Sequence, residues 1–433
     1  MRIQTIGHAS LLISADDGAP LLLTDPWLAG STYWHSWWLE NYPDADEFAR
    51  LRKVKYCYIT HEHPDHFHLR SLKRLGNGPQ YLSPMLPERG IVQILTEMNL
   101  KAEVLPSMTW RQLTDDLRVL SVWLWTDDSI LLIDTPTALI LNLNDTRPPW
   151  SFIRAAGRFR AACGKPLVML SSYSPASVVN SFRRGSDFLT VKRKQDYVDY
   201  VNALCDSAQA GYFMPFASQA TFLRSDSKWA NEFKVTHEDL QAGWKSRTRL
   251  LPPYCTLNLN DWSFSAVARS SYRASDEPVT EQIAEQEAMD GNCALSDDEI
   301  AACQRQLNAT WFVYAMLYPQ GILFDTRAER FLYRPFRRSL IRVDDASEFA
   351  FRLTVPAQSL KDAINFGHLG DLGIAMFSIV QLKSVRNPWL VYGFFVLETF
   401  KDYRHLSSVG AFLRWSRSAV RSQWHMHRPI PKC

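Results

Sequence analysis

The chain has 433 residues, with 48 Lys and Arg against 45 Asp and Glu, and a formal net charge of +3. Hydrophobic residues make up 46% and charged residues 21%, a balance typical of a folded protein. The near-neutral charge argues against a dedicated nucleic-acid binder, which carries a strong basic stripe. The apolar runs are far shorter than the ~20 residues of a membrane-spanning helix, so we expect no membrane span. The seven cysteines form no CxxC pair and no secretory signal is visible, so we expect a cytoplasmic protein.

Short strands with tight breaks dominate the start of the chain. Two apolar runs, at 10–14 and 20–25, flank a turn at Asp16–Gly18 and predict paired strands. A β-branched and aromatic run at 53–60 predicts another strand. Leucines three apart over 68–76, followed by a glycine, predict a helix directly after it. This alternation predicts stacked sheets with helices on the outside.

Three later apolar runs, at 137–145, 166–174 and 211–218, each end in polar residues. They predict buried strands whose following loops carry functional groups, and 190–208 predicts a helix between the last two.

The composition changes at 276–299, which holds nine acidic residues and no Lys or Arg. Such a stretch is typical of a solvated linker or of surface helices. We therefore predict a catalytic domain over 1–270, an acidic linker or pair of surface helices over 271–304, and a mixed α+β accessory region over 305–433.

The chemistry is concentrated in one eight-residue window, HEHPDHFH at 61–68, which holds four of the eleven histidines. His61 and His63 are two apart, so on an extended segment they point the same way. Asp65 and His66 follow on a turn and face a second point nearby. Imidazole and carboxylate donors suit Zn, Fe or Mn. Because burying three imidazoles and a carboxylate without a cation is costly, the window predicts a metal site.

This HxHxDH pattern after a strand resembles the hallmark of the metallo-β-lactamase superfamily. The segments IGHASLLI and LLLTDPWLAG resemble its lactonase-like branch. More closely, DPWLAG, YITHEHPDH, ILNLNDTRP, FMPFAS and TRLLPPYCTLNL, in this order, resemble the catalytic region of the CMP-N-acetylneuraminate hydroxylase family. The resemblance covers about residues 1–260 and, more weakly, 367–382. It implies an α/β fold, a four-layer αββα sandwich, with the C-terminal α+β region added to it.

The resemblance implies a site for two metals. His61 and His63 would bind the first metal, and Asp65 and His66 the second. Asp145, which ends a buried strand, would bridge them and offset the repulsion between two dications. Asp65 and Asp145 are also the residues expected to orient the reacting oxygen group.

Two histidines common in the superfamily are missing. In place of the first, Asp127 or Asp128 is expected, and Asp128 lines up better because it stands directly before a strand. The second would follow the strand at 211–218. The alternatives for it are Asp226, Ser218, Gln219 or no residue.

Further residues are expected around the metals. His8 and Asp25 would lie behind the ligands and orient them. An aromatic wall including Trp34, Trp38 and Trp125 would shield the reaction from water, and Arg147 would bind an anionic group of the substrate.

Carboxylates in place of imidazoles make the donor set harder, which favours iron or manganese over zinc. We therefore expect two divalent metal ions, with iron preferred and zinc or manganese as alternatives. The resemblance implies an oxygenase that hydroxylates a small-molecule, carrier-linked or nucleotide-linked substrate with O₂. The sequence has no CxH…CxxH pattern for a Rieske cluster, so a separate ferredoxin or reductase is the expected electron donor. The alternative is a hydrolase that attacks a lactone, phosphoester or amide with a metal-bridged hydroxide.

Overall fold

The structure is a computed structural model that describes residues 1–87, 90–177, 180–267 and 270–431. Its strands are β1 (Arg2–Thr5), β2 (Leu11–Ser14), β3 (Pro20–Thr24), β4 (Ser31–Thr32), β5 (Trp37–Leu39), β6 (Tyr56–Tyr58), β7 (Gln80–Pro84), β8 (Ala102–Leu105), β9 (Trp110–Thr114), β10 (Leu117–Trp123), β11 (Ser129–Asp134), β12 (Leu139–Asn142), β13 (Leu167–Ser171), β14 (Phe182–Arg184), β15 (Asp187–Phe188), β16 (Tyr212–Pro215), β17 (Ala220–Phe222), β18 (Arg249–Leu250), β19 (Cys255–Asn258), β20 (Phe264–Ala266), β21 (Ile322–Asp325), β22 (Arg330–Arg334), β23 (Ser339–Arg342), β24 (Phe351–Thr354) and β25 (Ile379–Leu382). Its helices are α1 (Ala45–Leu51), α2 (Leu69–Leu75), α3 (Ile91–Glu97), α4 (Trp150–Cys163), α5 (Lys194–Ala208), α6 (His237–Ala242), α7 (Glu277–Asn292), α8 (Asp297–Asn308), α9 (Trp311–Leu317), α10 (Ala357–Phe366), α11 (Pro388–Asp402) and α12 (Val409–Met426).

Two large sheets face each other in the N-terminal part. The first has the order β20-β19-β1-β2-β3-β6-β7-β8 and the second β18-β16-β13-β12-β11-β10-β9. Side chains alternate between the faces of a strand. In β11, Leu131 and Ile133 enter the core between the sheets, whereas Ile130 and Leu132 face the outer helices. The predicted pairing of the first two apolar runs is also present, because β2 and β3 are antiparallel neighbours.

Helices cover the outer face of each sheet. Leu51 of α1 and Leu75 of α2 pack against Leu23 in the first sheet. Phe152 of α4 and Val201 of α5 pack against the second sheet in the same way. The layers are therefore helix, sheet, sheet and helix, and the predicted αββα sandwich is confirmed.

The C-terminal part adds a third sheet, with the order β15-β14-β25-β24-β21-β22-β23. Its strand β14 comes from the range predicted as the catalytic domain, and Phe182 pairs with Val380 of β25. The core of this part also includes Trp37 and Phe222, together with Phe351. The sandwich and the C-terminal region therefore share a sheet and a core.

The acidic stretch forms two helices that each bury one face. Val279 and Ile283 of α7 pack with Trp38, and Cys303 and Leu307 of α8 belong to the C-terminal core. The acidic stretch is therefore packed against the rest of the molecule through one face of each helix.

The last helix, α12, is joined to the sandwich by side-chain hydrogen bonds. The Ser422 hydroxyl of α12 donates to the carbonyl of Trp123 at 2.7 Å, and Trp415 Nε1 donates to the carbonyl of Trp125 at 3.1 Å. Over the described residues, the helices include none long and apolar enough to cross a bilayer.

The contact between α4 and α5 depends on a glycine. A Cβ at Gly157 would lie 2.9 Å from the carbonyl oxygen of Ala208, closer than real side chains approach. We expect Gly157→Ala to lower the free energy of unfolding by about 1–3 kcal/mol, because the two helices must separate to admit a methyl group. Denaturant unfolding of the purified protein measures this change.

Gly393→Ala is the matched control, since Gly393 lies within α11 and nothing lies within 4 Å of the position that a methyl group would take there. Removing a helix glycine at this place is expected to stabilise the protein by about 0.5–1 kcal/mol. Equal effects of the two substitutions would contradict the close packing described for Gly157.

Candidate metal centre

The functional side chains gather where neighbouring strands end. Asp25 directly follows β3, and the histidine window follows the parallel strand β6. The carboxylate of Asp25 accepts hydrogen bonds from the backbone amide of Thr60 at 2.7 Å and from its hydroxyl at 2.8 Å. This buried carboxylate thereby ties the two strand ends together beside the histidines.

A first group of possible ligands consists of His61, His63 and Asp145, with one ligand atom of each within 4.8 Å of the others. His61 Nε2 lies 2.9 Å from His63 Nδ1 and 3.8 Å from Asp145 Oδ2. These are the residues predicted for the first metal together with the predicted bridging carboxylate.

A second group consists of His8, Asp65 and His66. Asp65 Oδ2 lies 3.3 Å from His8 Nε2 and 3.4 Å from His66 Nε2. Tyr33 donates a hydrogen bond to the other oxygen of Asp65 at 2.7 Å. His8 is expected from the sequence to lie behind the ligands, but the structure places it beside Asp65, in a position where it can bind a metal directly.

Asp145 lies between the two groups. Its Oδ2 atom is 3.8 Å from His61 Nε2 and 3.7 Å from His66 Nε2. The rings of His61 and His66 are themselves close, with centroids 4.0 Å apart. One carboxylate near both groups is the arrangement that a bridging ligand requires, although its role as a ligand stays a prediction.

Asp25 lies against the ring of His66, and its predicted role in orienting this proposed ligand stays a prediction. Its Oδ2 atom lies 3.0 Å from His66 Nδ1. We assign the Nδ1 proton to this contact, because a carboxylate accepts and cannot donate. The lone pair of His66 Nε2 then faces Asp65 and Asp145, as a metal-binding imidazole requires.

Several polar atoms at the centre lack hydrogen bonds. His63 Nε2 and Asp145 Oδ1 are buried and have no hydrogen-bond partner among the described residues. Leaving a buried polar group unpaired costs about 1–3 kcal/mol. A divalent cation bound by these atoms removes that cost, so the residues present fit a metal centre.

The pKa values of the carboxyl groups at the site also favour a metal centre. Burial and the negative charge of Asp145 raise the pKa of Asp128 to about 7. Burial opposes ionisation of Asp65 too, but the neighbouring His66 and His8 hold its pKa well below the usual range. Carboxylates are therefore crowded on the side of Asp128 and Asp145, where a dication would keep both ionised.

Asp128 lies at the edge of the first group. Its Oδ1 atom is 3.7 Å from His61 Nδ1, and the Thr126 hydroxyl donates to its Oδ2 at 2.9 Å. The structure thus brings Asp128 toward the position of the missing histidine. Asp127, the other alternative, turns away and pairs with His405.

The structure does not bring Asp226 to the cluster. Both of its carboxylate oxygens accept hydrogen bonds from Arg224, at 3.0 and 2.9 Å, and this arginine is almost fully buried. The prediction that Asp226 binds metal is therefore wrong, because its charge neutralises a buried guanidinium. Ser218 and Gln219 are engaged with backbone groups of their own loop and its neighbour.

A cavity of about 430 Å³ adjoins the metal groups. Trp34 and His63 line it, together with Phe67 and Leu69 from the histidine window and the start of α2. A second cavity of about 500 Å³ shares Glu62 and other wall residues with the first, so the two form one groove.

Of the four residues predicted to bind substrate, Trp34 lines the cavity. Trp38 is 1% exposed and packs in the core with α7, so its predicted role is wrong. Trp125 packs on Phe400 and Trp415. Arg147 lies over the ring of Tyr200, at 4.2 Å from its centroid.

The C-terminal part supplies site residues that the sequence analysis missed. Asp371 and Tyr403 both line the cavity, and the ring of Tyr403 lies 6.3 Å from that of His63. Burial and the nearby charge of Asp371 raise the pKa of Tyr403 well above its usual value, so its hydroxyl stays protonated. The resemblance at 367–382 includes Asp371, but no sequence signal connects Tyr403 with a histidine hundreds of residues earlier.

Comparison with known proteins agrees with the fold. Residues 2–138 match the family model described as the beta-lactamase superfamily domain. The match covers less than half of the chain but includes the histidine window, and the resemblance predicted from the HxHxDH pattern is confirmed.

Two similar proteins are named cytidine monophosphate-N-acetylneuraminic acid hydroxylase. The protein from Cricetulus griseus is 24% identical over 254 residues, and that from Danio rerio is 26% identical over 248 residues. The matches cover 56% and 52% of this chain but 44% and 39% of the relatives, so the chain spans less than half the length of these proteins. Together with the domain match, these likenesses support a metal-dependent enzyme.

Among solved structures, a variant of CmlA beta-hydroxylase aligns with 59% of this chain and 53% of its own. The alignment has 16% sequence identity and a TM-score of 0.39, from which no functional conclusion follows.

The ligand assignment predicts the metal content of variants. Asp145→Ala is expected to lose at least one metal per chain, because the proposed bridge between the groups is gone. His61→Ala is expected to abolish activity. Elemental analysis of the purified variants, beside the wild type, measures the metal.

Asp226→Asn is the control, since it removes a carboxylate charge from the pair with Arg224 and is expected to retain the wild-type metal content. Full metal content and turnover in His61→Ala would show that the ligand assignment is incorrect.

The contact between His405 and Asp127 leads to a prediction about the stability of the protein. His405 is 1% exposed, and its Nε2 atom contacts Asp127 next to Asp128. We expect His405→Ala to destabilise the protein by about 1–3 kcal/mol, because Asp127 loses a buried partner. Thermal unfolding measures the change, and His427→Ala, at an exposed position beyond α12, serves as the control.

Proposed function

We propose that this protein is a dinuclear iron oxygenase that hydroxylates a small-molecule, carrier-linked or nucleotide-linked substrate. The observation that carries the proposal is the composition of the group of side chains that could bind the metals. Asp65, Asp128 and Asp145 gather with the imidazoles of His61 and His66, so carboxylates provide many of the available donors. Oxygen-rich sites of this kind favour iron over zinc.

The hydroxylase relatives support the reaction type. Their names describe hydroxylation of a nucleotide-linked sugar, and the matches cover 56% and 52% of this chain. For this chain, the substrate class is part of the proposal.

The residues around the proposed metal centre have two roles, which are to hold the ligands in place and to exclude water. Two iron ions bound there would supply the activation of O₂. Tyr33 holds Asp65 and Asp25 holds His66, so these donors need not reorganise when metal binds. Trp34 and Phe67 line the adjacent cavity and exclude water from the reacting group.

Tyr403 is the group best placed to hold a proton. Tyr403 presents a protonated hydroxyl to the cavity and can donate one to the substrate.

The reaction needs electrons from outside the chain. No CxH…CxxH pattern occurs in the 433 residues of the sequence. A separate ferredoxin or reductase is the proposed donor.

The second candidate is a hydrolase. Asp145 Oδ2 lies within 4 Å of both His61 and His66, a position that also suits holding a hydroxide between two metals. Hydrolysis of a lactone, phosphoester or amide by such a hydroxide requires no electron donor.

Metal identity and oxygen dependence separate the two candidates. For protein purified without added metal, we expect about two iron ions per chain, because the donors are rich in carboxylate. An optical spectrum in air that changes on reduction is expected to accompany them. Elemental analysis and absorption spectroscopy provide these measurements.

A colourless protein with two zinc ions per chain would contradict the iron assignment. Turnover of a hydrolysable ester under strictly anaerobic conditions would select the hydrolase.

A further inference from the structure

The helix α12 presents two different exposed stripes beside the face that it buries. Its buried face includes Ala411, Ser422 and Met426, which pack against the sandwich. At 100° per residue, the remaining surface is wide enough for two parallel stripes along the helix.

The first stripe is apolar. Val409 is 77% exposed, Val420 72%, Trp424 55% and Leu413 48%. These four side chains project within about 60° of one another around the helix and extend over roughly 22 Å of its length. An exposed row of this kind is uncommon on a surface that faces only water.

The second stripe is basic. Arg414, Arg417 and Arg421 are exposed and follow one another at helical spacing, directly beside the apolar stripe. Neither Arg417 nor Arg421 has an ion-pair partner among the described residues. After Asp402, the sequence contains no Asp or Glu.

We propose that α12 is a docking surface for an anionic lipid bilayer, on which the helix lies parallel to the membrane plane. A straight apolar row flanked by a row of arginines matches a flat interface, because the apolar side chains enter the acyl boundary while the arginines meet the headgroups. The absence of acidic residues in this segment removes repulsion from anionic lipid. Trp424, with the guanidinium of Arg428 over its ring at 3.3 Å, suits the headgroup level.

The helix begins beside the mouth of the groove that leads to the metal centre. Arg404, Leu406 and Ser407 line its outer cavity and directly precede α12. A bilayer bound to α12 therefore lies close to this opening. The docking proposal itself is independent of the proposed oxygenase function, since it rests on the helix alone.

Flotation of the full chain with lipid vesicles tests the proposal. We expect binding to vesicles of phosphatidylcholine containing phosphatidylglycerol, little binding to phosphatidylcholine alone, and loss of binding as salt is raised. Replacing both Arg417→Gln and Arg421→Gln is expected to lower the partition coefficient by roughly tenfold or more. Val420→Ser is expected to lower it as well, and its exposed position leaves the fold intact.

The control variant carries Arg52→Gln and Lys53→Gln, which remove the same charge at exposed positions outside α12. Unchanged binding of this control supports the proposal. Equal loss in the control, equal binding to neutral vesicles, or no binding would overturn it. Self-association in size-exclusion chromatography that Val420→Ser abolishes would also overturn it, since the stripe would then be a protein interface.

Discussion

The carboxylate of Asp25 is the constraint on which the site depends. It is fully buried, and it connects the end of β6, through Thr60, with the ring of His66. A buried carboxylate is stable only when its oxygens are well satisfied. The strand ends must therefore meet in one register, and that register places the histidine window over Asp145.

Much of the sandwich could be predicted from the sequence, because its strands and its histidine turn are each specified by residues that are close together in the chain. Alternating apolar residues identify strands, and the HxHxDH spacing identifies a turn where ligands converge. Asp128 was predicted as a ligand from its place before β11, and it lies 3.7 Å from His61, but its role as a ligand stays a prediction. Asp226 and Trp38 could not be judged in the same way, because their partners, Arg224 and α7, depend on packing between distant segments.

The residues that the C-terminal part contributes to the cavity could not be predicted either, because their positions also depend on packing between distant segments. Tyr403 and Asp371 reach the cavity only because the third sheet and α11 pack against the sandwich. Nothing in the spacing of those residues indicates which surface they meet. His405 is the clearest example. It is a lone histidine in a basic segment, and nothing in the sequence indicates that it pairs with Asp127, next to Asp128.

The parallel pairing of β14 with β25 has a consequence for how the chain acquires its structure. Phe182 meets Val380 only after nearly two hundred further residues have been made, and such distant pairing is slow because the intervening loop must close first. During synthesis, β14 and the aromatic side chains beside it remain without their cover. Uncovered strand edges invite pairing with other chains, so this edge of β14 is open to such pairing until the C-terminal part has been made.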